Sequence, residues 1–216
     1  MEYICTQGPT EAFLILLVSG RKQFRRVFIR KLLFADDAAL VAHSEEGLQR
    51  QIDCFAGACK EFGLTVSLDK TKILSQEVSR IPNIKIGDHL LAVVEEFTYL
   101  GSTIASNLSL DCELGRRIGK AATLMSRLTK RVWDNPVLSV NTKRKVYRAR
   151  VLGTLLYGSE SWTPYSRQEQ RLNVFHMRNL RRILHITWQD RISNKSVLKR
   201  AGLPSMFALL AQRCLR

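Results

Sequence analysis

The sequence predicts an α+β layer that is followed, from about residue 106 onward, by an entirely helical region. Two observations predict this division. Before residue 106, short apolar runs of β type dominate and a single helical segment interrupts them. After residue 106, apolar residues recur at helical spacing to the end of the chain. We therefore predict two regions with different architectures.

The first region contains several candidate strands and one helix. The predicted strands are Val27–Phe34, Ala39–His43, Leu64–Leu68, Ile84–Ile86 and the interrupted run Leu90–Ile104. The helix starts after Ser44, a good N-cap, with two glutamates at the positive end of its dipole, and Gly63 stops it. Its apolar residues fall on one face, which predicts a helix packed on a sheet.

The second region is predicted to form five helices. They cover about 109–133, 139–157, 166–187, 193–201 and 205–216. Pro136, Pro164 and Pro204 lie close to predicted helix ends, where proline is expected.

Basic residues are concentrated in the helical region. Residues 1–115 contain 12 lysines and arginines against 15 acids, whereas residues 116–216 contain 22 against 4. A field of one sign attracts polyanions, so nucleic acid is the leading predicted partner and an anionic membrane surface only a distant second. The alternative is a basic surface that serves only solubility.

The first predicted helix of this region carries its basic residues on one face and its apolar residues on the other. The basic face consists of Arg116, Arg117, Lys120, Arg127, Lys130 and Arg131. Solvated helix faces usually interleave acids with bases, and acids are scarce here. We therefore predict that these side chains contact nucleic-acid phosphates.

Cysteine usage and hydropathy indicate an intracellular protein, in the nucleus or the cytoplasm. The five cysteines form no CxxC pair and no histidine has zinc-finger spacing, so we predict neither a zinc site nor a disulfide-linked partner. The apolar run Ala12–Val18 is far shorter than the ~20 residues that span a bilayer. Acidic rather than basic residues precede it, unlike a signal peptide. We expect no secretion and no membrane partner.

Two adjacent carboxylates, Asp36 and Asp37, separate two apolar runs. We predict that they lie at a hairpin turn, on one face of the sheet and within about 8 Å of the later Lys70 region, a distance that reflects the ~4.8 Å spacing of neighbouring strands. Aspartates are common in ordinary solvated turns, which is the alternative. Such turns seldom lie between apolar runs, however, and paired carboxylates suit Mg²⁺ or Mn²⁺.

Three motifs follow one another in order between residues 34 and 104. The first, Phe34-Ala-Asp-Asp37, is similar to the Tyr/Phe-x-Asp-Asp motif of non-LTR (LINE-type) retrotransposon reverse transcriptases. The segment Phe62–Lys72 resembles the following motif, whose lysine lies near the incoming nucleotide; Lys70 is the first candidate and Lys72 the second. The segment Phe97–Ile104 resembles the hairpin that grips the primer end, through Phe97, Tyr99, Leu100 and Gly101.

The resemblance implies a partial polymerase palm over residues 27–105 and a basic, helical, thumb-like region over residues 106–216. Residues 1–26 remain unmatched. The reaction it implies is RNA-directed DNA synthesis, in which a primer 3′-hydroxyl attacks the α-phosphate of a dNTP with two Mg²⁺ (or Mn²⁺) ions bound. Asp36 and Asp37 are then the metal ligands and Lys70 assists at the pyrophosphate. RNA template and DNA primer are the implied partners.

The sequence departs from this family in its upstream carboxylates. The only acids before Asp36 are Glu2 and Glu11, and neither matches the family's earlier aspartate motif. The family's fingers and endonuclease are not recognisable either. We therefore expect a fragment that is inactive alone and binds metal poorly. A non-catalytic nucleic-acid-binding remnant is the alternative, and a product without a selected function is a third possibility.

Overall fold

The computed structural model describes residues 3–7, 31–76 and 82–214. The chain divides into two units, which we call the sheet unit (residues 1–112) and the helical unit (residues 113–216). The predicted boundary lay between residues 105 and 106. The first four residues of the predicted strand Val27–Phe34 lie outside the described residues. The α+β fold class is confirmed.

The sheet unit is built on a five-stranded sheet with the order β2-β3-β1-β4-β7. Its strands are β1 (Tyr3–Gln7), β2 (Lys31–Phe34), β3 (Asp37–Ala42), β4 (Lys72–Ser75) and β7 (Ala92–Val93). All neighbours are antiparallel except β4 and β7. Strand β1 occupies the centre, between β3 and β4, although it falls in the segment that sequence motifs left unmatched.

One helix, α1 (Glu45–Glu61), covers a face of this sheet. Ser44 caps it by accepting the Gly47 amide, as predicted, and the chain leaves the helix at Gly63 with φ +68°. Leu48 and Ile52 are buried in a cluster with sheet residues that include Leu40, Ala42 and Ile73. The predicted amphipathic helix on a sheet is confirmed.

Two small hairpins complete the sheet unit. They are β5 (Lys85–Ile86) with β6 (His89–Leu90), and β8 (Glu96–Tyr99) with β9 (Ser102–Ala105). The predicted strand Leu64–Leu68 is wrong, because these residues form an irregular segment and the start of a turn. The Thr71 hydroxyl closes that turn on the Ser67 carbonyl, and pairing begins only at Lys72.

The helical unit follows the predicted order of helices. The elements are α2 (Asp111–Arg127), a π turn (Thr129–Trp133), α3 (Val140–Val146), a second π turn (Tyr147–Leu152), α4 (Gly153–Leu155), a 3₁₀ turn (Ser159–Ser161), α5 (Ser166–Ile183), α6 (Asn194–Ala201) and α7 (Met206–Cys214). In the described part of the chain, none of the helices combines the length and apolarity that crossing a membrane requires.

Three buried aromatic side chains join the elements of the helical unit. Tyr147 packs edge-on against Trp133 and stacks on His176, with ring centroids 6.4 Å and 5.8 Å away. His176 Nε2 lies 3.2 Å from the Pro204 carbonyl, which can only accept, so Nε2 carries the proton. Nδ1 therefore accepts from the Tyr147 hydroxyl at 3.0 Å. This polar pair ties α5 to the second π turn and to the segment before α7.

Candidate functional site

The two aspartates lie at a hairpin turn. Strands β2 and β3 are joined by the two residues Ala35 and Asp36, and Phe34 pairs with Asp37. Ala35 has φ +50°, the left-handed conformation that tight hairpin turns require. Asp36 is exposed in the turn, whereas Asp37, the first residue of β3, is only 7% exposed. The pair thus offers one solvent-facing and one buried carboxylate on a rigid base.

Asp37 lies on the sheet face opposite α1. Side chains alternate along a strand, so Asp37 shares its face with Ala39 and Val41. Ala39 and Val41 form a buried cluster with Tyr99, and Phe97, Leu100 and Ile104 pack against it. The β8–β9 hairpin, which sequence motifs identified as the primer-grip candidate, therefore packs on the face that carries Asp37.

The negative charge of Asp37 affects the pKa of a tyrosine in this hairpin. Burial raises the pKa of Tyr99, and the neighbouring Asp37 carboxylate raises it further, because a second negative charge is unfavourable there. The hairpin turns at Leu100 (φ +42°) and Gly101 (φ +81°), both half-buried. Gly101 supplies the turn as predicted. Tyr99 itself is buried and anchors the hairpin, whereas Leu100 and Gly101 at the turn are each partly exposed.

The Lys70 turn lies at the same end of the sheet as the aspartates. Thr6 of β1 pairs with both Ala39 and Lys72, which places those two residues level across the sheet. Lys70 is exposed in the turn just before β4. Because β1 separates β3 from β4, the two turns are two strand spacings apart, about 10 Å. The predicted distance of about 8 Å assumed neighbouring strands, and that assumption is wrong.

Among the described residues, Asp36 and Asp37 do not belong to a larger cluster of possible metal ligands. Within the described ranges 31–76 and 82–214, no cluster of three or more His, Cys, Asp or Glu side chains could hold a metal ion. A two-metal centre for phosphoryl transfer needs hard oxygen ligands around both ions. Asp36 and Asp37 by themselves do not fit such a centre.

The predicted basic stripe is mostly at the surface. Five of its six residues are exposed: Arg116, Lys120, Arg127, Lys130 and Arg131. The last two belong to the π turn that continues α2. None of the four acids that follow residue 115 in the sequence belongs to α2 or to this π turn. The exposed stripe is therefore a dense cationic surface.

The prediction that Arg117 belongs to this exposed stripe is wrong. Its side chain is buried, its Nε donates to Glu113 Oε1 at 2.6 Å, and its guanidinium lies 4.6 Å from the ring centroid of Tyr157. Arg117 follows Leu114 by three residues and precedes Ala121 by four, so it lies on the packed face of α2. The acid four residues earlier was the available sequence signal.

A second group of basic residues is also divided between surface and interior. Its members are Lys143, Arg144, Lys145, Arg148 and Arg150. Lys143 is buried, and its Nζ donates to the Trp133 carbonyl at 2.7 Å, at the end of the first π turn. Lys145, Arg148 and Arg150 of the same group are exposed. Lys143 therefore caps the first π turn from inside the protein. Only the exposed residues of this group can contact a binding partner.

Sequence patterns did not single out one exposed aromatic residue, Trp188. It lies in the loop between α5 and α6 and is 84% exposed, whereas Trp133 and Trp162 are buried. The available signal was its setting, because Thr187, Gln189, Asp190 and Arg191 next to it are all polar.

Comparison with known proteins gives two similarities. Residues 12–104 match the model of a family described as reverse transcriptase (RNA-dependent DNA polymerase), a match that begins before the predicted start at residue 27. A Caenorhabditis elegans protein, described as uncharacterized and transposon-derived, is 28% identical over 163 residues, which is 74% of this chain. The aligned region covers 58% of that relative's length. Residues 12–104 are thus similar to reverse transcriptases.

Proposed function

We propose that this chain is part of a LINE-type reverse transcriptase, in which the sheet unit holds a primer end beside Asp36 and Asp37. The observation that carries this proposal is the packing of the β8–β9 hairpin on the Asp37 face. Chemistry at a primer end needs a gripping element next to the carboxylates, and positioning is a large part of catalysis in phosphoryl transfer. The match over residues 12–104 supports the same conclusion.

The candidate site residues of the sheet unit then have distinct roles. Leu100 and Gly101, at the accessible hairpin turn, contact the primer, while Phe97 and Tyr99 anchor the hairpin to the sheet. Lys70 is exposed at the same end of the sheet and is available to the leaving pyrophosphate, where its positive charge offsets the developing negative charge.

The proposed catalytic centre is nevertheless incomplete in the described residues. The two carboxylates that the described residues bring together are fewer than a two-metal centre needs, so the chain alone is expected to give no primer extension on poly(rA)/oligo(dT) with Mg²⁺ or Mn²⁺. The test is an extension assay on the full chain and on a variant with Asp36→Asn and Asp37→Asn. Extension by the native chain that this variant abolishes would show that the carboxylates present suffice.

A second function, binding of the nucleic-acid backbone by the helical unit, is favoured by the exposed cationic stripe. The stripe presents Arg116, Lys120 and Arg127 along α2, at spacings that keep them on one face. Lysines and arginines contact phosphates without reading sequence, so RNA and DNA are both expected to bind. This function requires no complete catalytic centre and is compatible with an inactive chain.

The salt dependence of binding tests this second function. If about five phosphates are neutralised, the logarithm of the binding constant for duplex DNA falls with log salt at a slope of roughly −4 to −5. Replacing Arg116, Lys120 and Arg127 by Gln is expected to flatten the slope by about 3, because each contact contributes about 0.9. A fluorescence-anisotropy titration of a labelled duplex at several salt concentrations measures the slope.

The matched control removes three charges from the sheet unit. Arg50, Lys60 and Lys85 are exposed there, and their replacement by Gln lowers the net charge equally. This control is expected to leave the slope within about one unit of the native value. Equal flattening by both variants would show that net charge, rather than the stripe, drives binding.

A further inference from the structure

The loop between α5 and α6, residues 184–193, presents an exposed indole. Trp188 is 84% exposed at this loop. Tryptophan is usually largely buried, because its large apolar ring gains more than most side chains from leaving water. An indole held in solvent by a well-defined loop therefore indicates a binding role.

Three sets of hydrogen bonds hold this loop, which we call the Trp188 loop. At its start, His185 has φ +54° and the amides of His185 and Ile186 donate to the last carbonyls of α5. At its centre, the Thr187 amide and hydroxyl both donate to Asp190 Oδ2, at 2.6 and 2.9 Å. At its end, the Arg181 guanidinium donates to Ile192 O and Asn194 Oδ1. The backbone that carries Trp188 is thus pre-organised.

The surroundings of the Trp188 loop are strongly cationic. Between residues 178 and 200 the sequence contains seven lysines and arginines and one acid, Asp190. The hydrogen bonds from the Thr187 amide and hydroxyl lower the pKa of Asp190, so its carboxylate is engaged in holding the turn. Arg182, six residues before Trp188, and Arg191, three residues after it, are both exposed. An anionic partner is therefore favoured at this loop.

The last turn of α5, which leads into the Trp188 loop, contacts the end of the basic stripe. Arg182, near the C-terminal end of α5, donates to the Thr129 hydroxyl at 3.0 Å. Thr129 directly precedes Lys130 and Arg131 at the end of the stripe. A nucleic-acid strand whose phosphates follow the stripe therefore reaches the last turn of α5, which leads directly into the Trp188 loop.

We infer that Trp188 is a stacking platform for a base of single-stranded nucleic acid, placed where the basic stripe ends. Exposed aromatic rings beside cationic side chains bind single strands in this way, since every unpaired base offers a π face. Duplex bases are already stacked and cannot use the ring. An anionic membrane is less favoured, because Thr187, Gln189 and Asp190 around the ring are exposed and polar. The inference rests on the proposed nucleic-acid binding.

Binding to fluorescein-labelled oligo(dT) and to a duplex of matched length tests the inference. Trp188→Ala is expected to weaken oligo(dT) binding by roughly 5- to 100-fold, the range for loss of one stacked base, and to change duplex binding by less than about twofold. Trp188→Phe keeps a stacking ring and is expected to retain most of the affinity. Native indole fluorescence should be quenched by oligo(dT), and the Phe variant should lose that quenching, because the other tryptophans are buried.

The matched control is Tyr165→Ala. Tyr165 is 80% exposed and precedes α5, whose 18 residues place it about 27 Å from the opposite end of that helix. This variant is expected to bind both probes as the native chain does. Equal loss of oligo(dT) affinity in both variants would show that stacking is not specific to Trp188.

The remaining outcomes separate the inference from the function on which it rests. Unchanged oligo(dT) affinity in Trp188→Ala, with native binding intact, overturns the platform alone. Failure of the native chain to bind either probe at low salt overturns the proposed binding function as well. Loss of binding to phosphatidylglycerol vesicles in Trp188→Ala, with oligo(dT) binding unchanged, assigns the ring to a membrane instead and overturns the platform.

Discussion

The sheet unit and the helical unit bury charged side chains in different settings. In the helical unit, Arg117 is buried with a carboxylate one helical turn away, and Lys143 is buried with its Nζ on a backbone carbonyl. In the sheet unit, Asp37 is buried at the first residue of a strand, next to the exposed Asp36, and its charge acts on Tyr99. Buried cations of the first kind support the fold, whereas the carboxylate pair at the rigid turn has the placement that the proposed function requires.

The largest effect on stability is expected when the ion pair of the helical unit is broken. Glu113→Ala leaves the Arg117 guanidinium buried without its carboxylate, which is expected to cost about 3–5 kcal/mol of unfolding free energy. Indole fluorescence during urea unfolding measures this unit by itself, because all three tryptophans lie in it.

The control for this prediction is Glu160→Ala, at an exposed position of the same unit. It is expected to change the unfolding free energy by less than about 0.5 kcal/mol. The double variant Glu113→Leu with Arg117→Met removes both charges and is expected to recover much of the loss. A loss below about 1 kcal/mol in Glu113→Ala would show that Arg117 is not a structural cation.

The next effect concerns pH. Burial lowers the pKa of His176 from 6.5 to about 4, partly offset by its hydrogen bond to Pro204. The unfolded chain therefore binds a proton more readily than the folded one, and stability is fully present above pH 6.5 and falls as pH drops toward 4. We expect the helical unit to lose roughly 3 kcal/mol between pH 7 and pH 4 through this group.

Two variants isolate the contribution of His176. His176→Gln is less stable at neutral pH but is expected to have a flatter stability profile between pH 6.5 and 5, where carboxylates stay ionised. His185→Gln, at an exposed position, is expected to keep the native profile. Parallel profiles for all three proteins would argue against a buried neutral His176.

A smaller effect compares one glycine from each unit. Gly63 and Gly202 both end helices at positive φ, +68° and +60°. A methyl group at Gly63 meets no neighbour within 4 Å, whereas at Gly202 it meets the Arg144 guanidinium. Gly63→Ala is expected to cost about 1 kcal/mol from backbone strain and Gly202→Ala about 1–2 kcal/mol, because Arg144 must also move. Calorimetric unfolding of both variants compares them, and a larger cost at Gly63 would contradict the packing around Gly202.

The smallest effect concerns the sheet unit. Asp37→Asn is expected to lower the pKa of Tyr99, because it removes a negative charge that disfavours the tyrosinate, whereas burial continues to raise it. Ultraviolet titration of the full chain against a Tyr99→Phe reference follows this one group. An unchanged titration would place the β8–β9 hairpin farther from Asp37.

Local signals in the sequence predicted much of this protein. The Ser44 cap, the Asp36–Asp37 hairpin turn, the Gly101 turn and most helix ends depend on residues a few positions apart, so a linear pattern contains them. The charge division between the two regions is a property of composition and needs no structure at all.

Tertiary structure decided which of these residues are available. Only folding inserts β1 between β3 and β4, because strand order depends on partners far apart in sequence. Only packing turns Arg117 and Lys143 inward, since a helical stripe and a packed face can share basic residues. Tertiary packing also decides on which side of the sheet the β8–β9 hairpin lies. It likewise decides that Trp188 stays exposed, because no described part of its unit covers it. Caps and turns depend on residues close together in sequence, whereas the burial of a side chain depends on the packing of residues far apart in sequence.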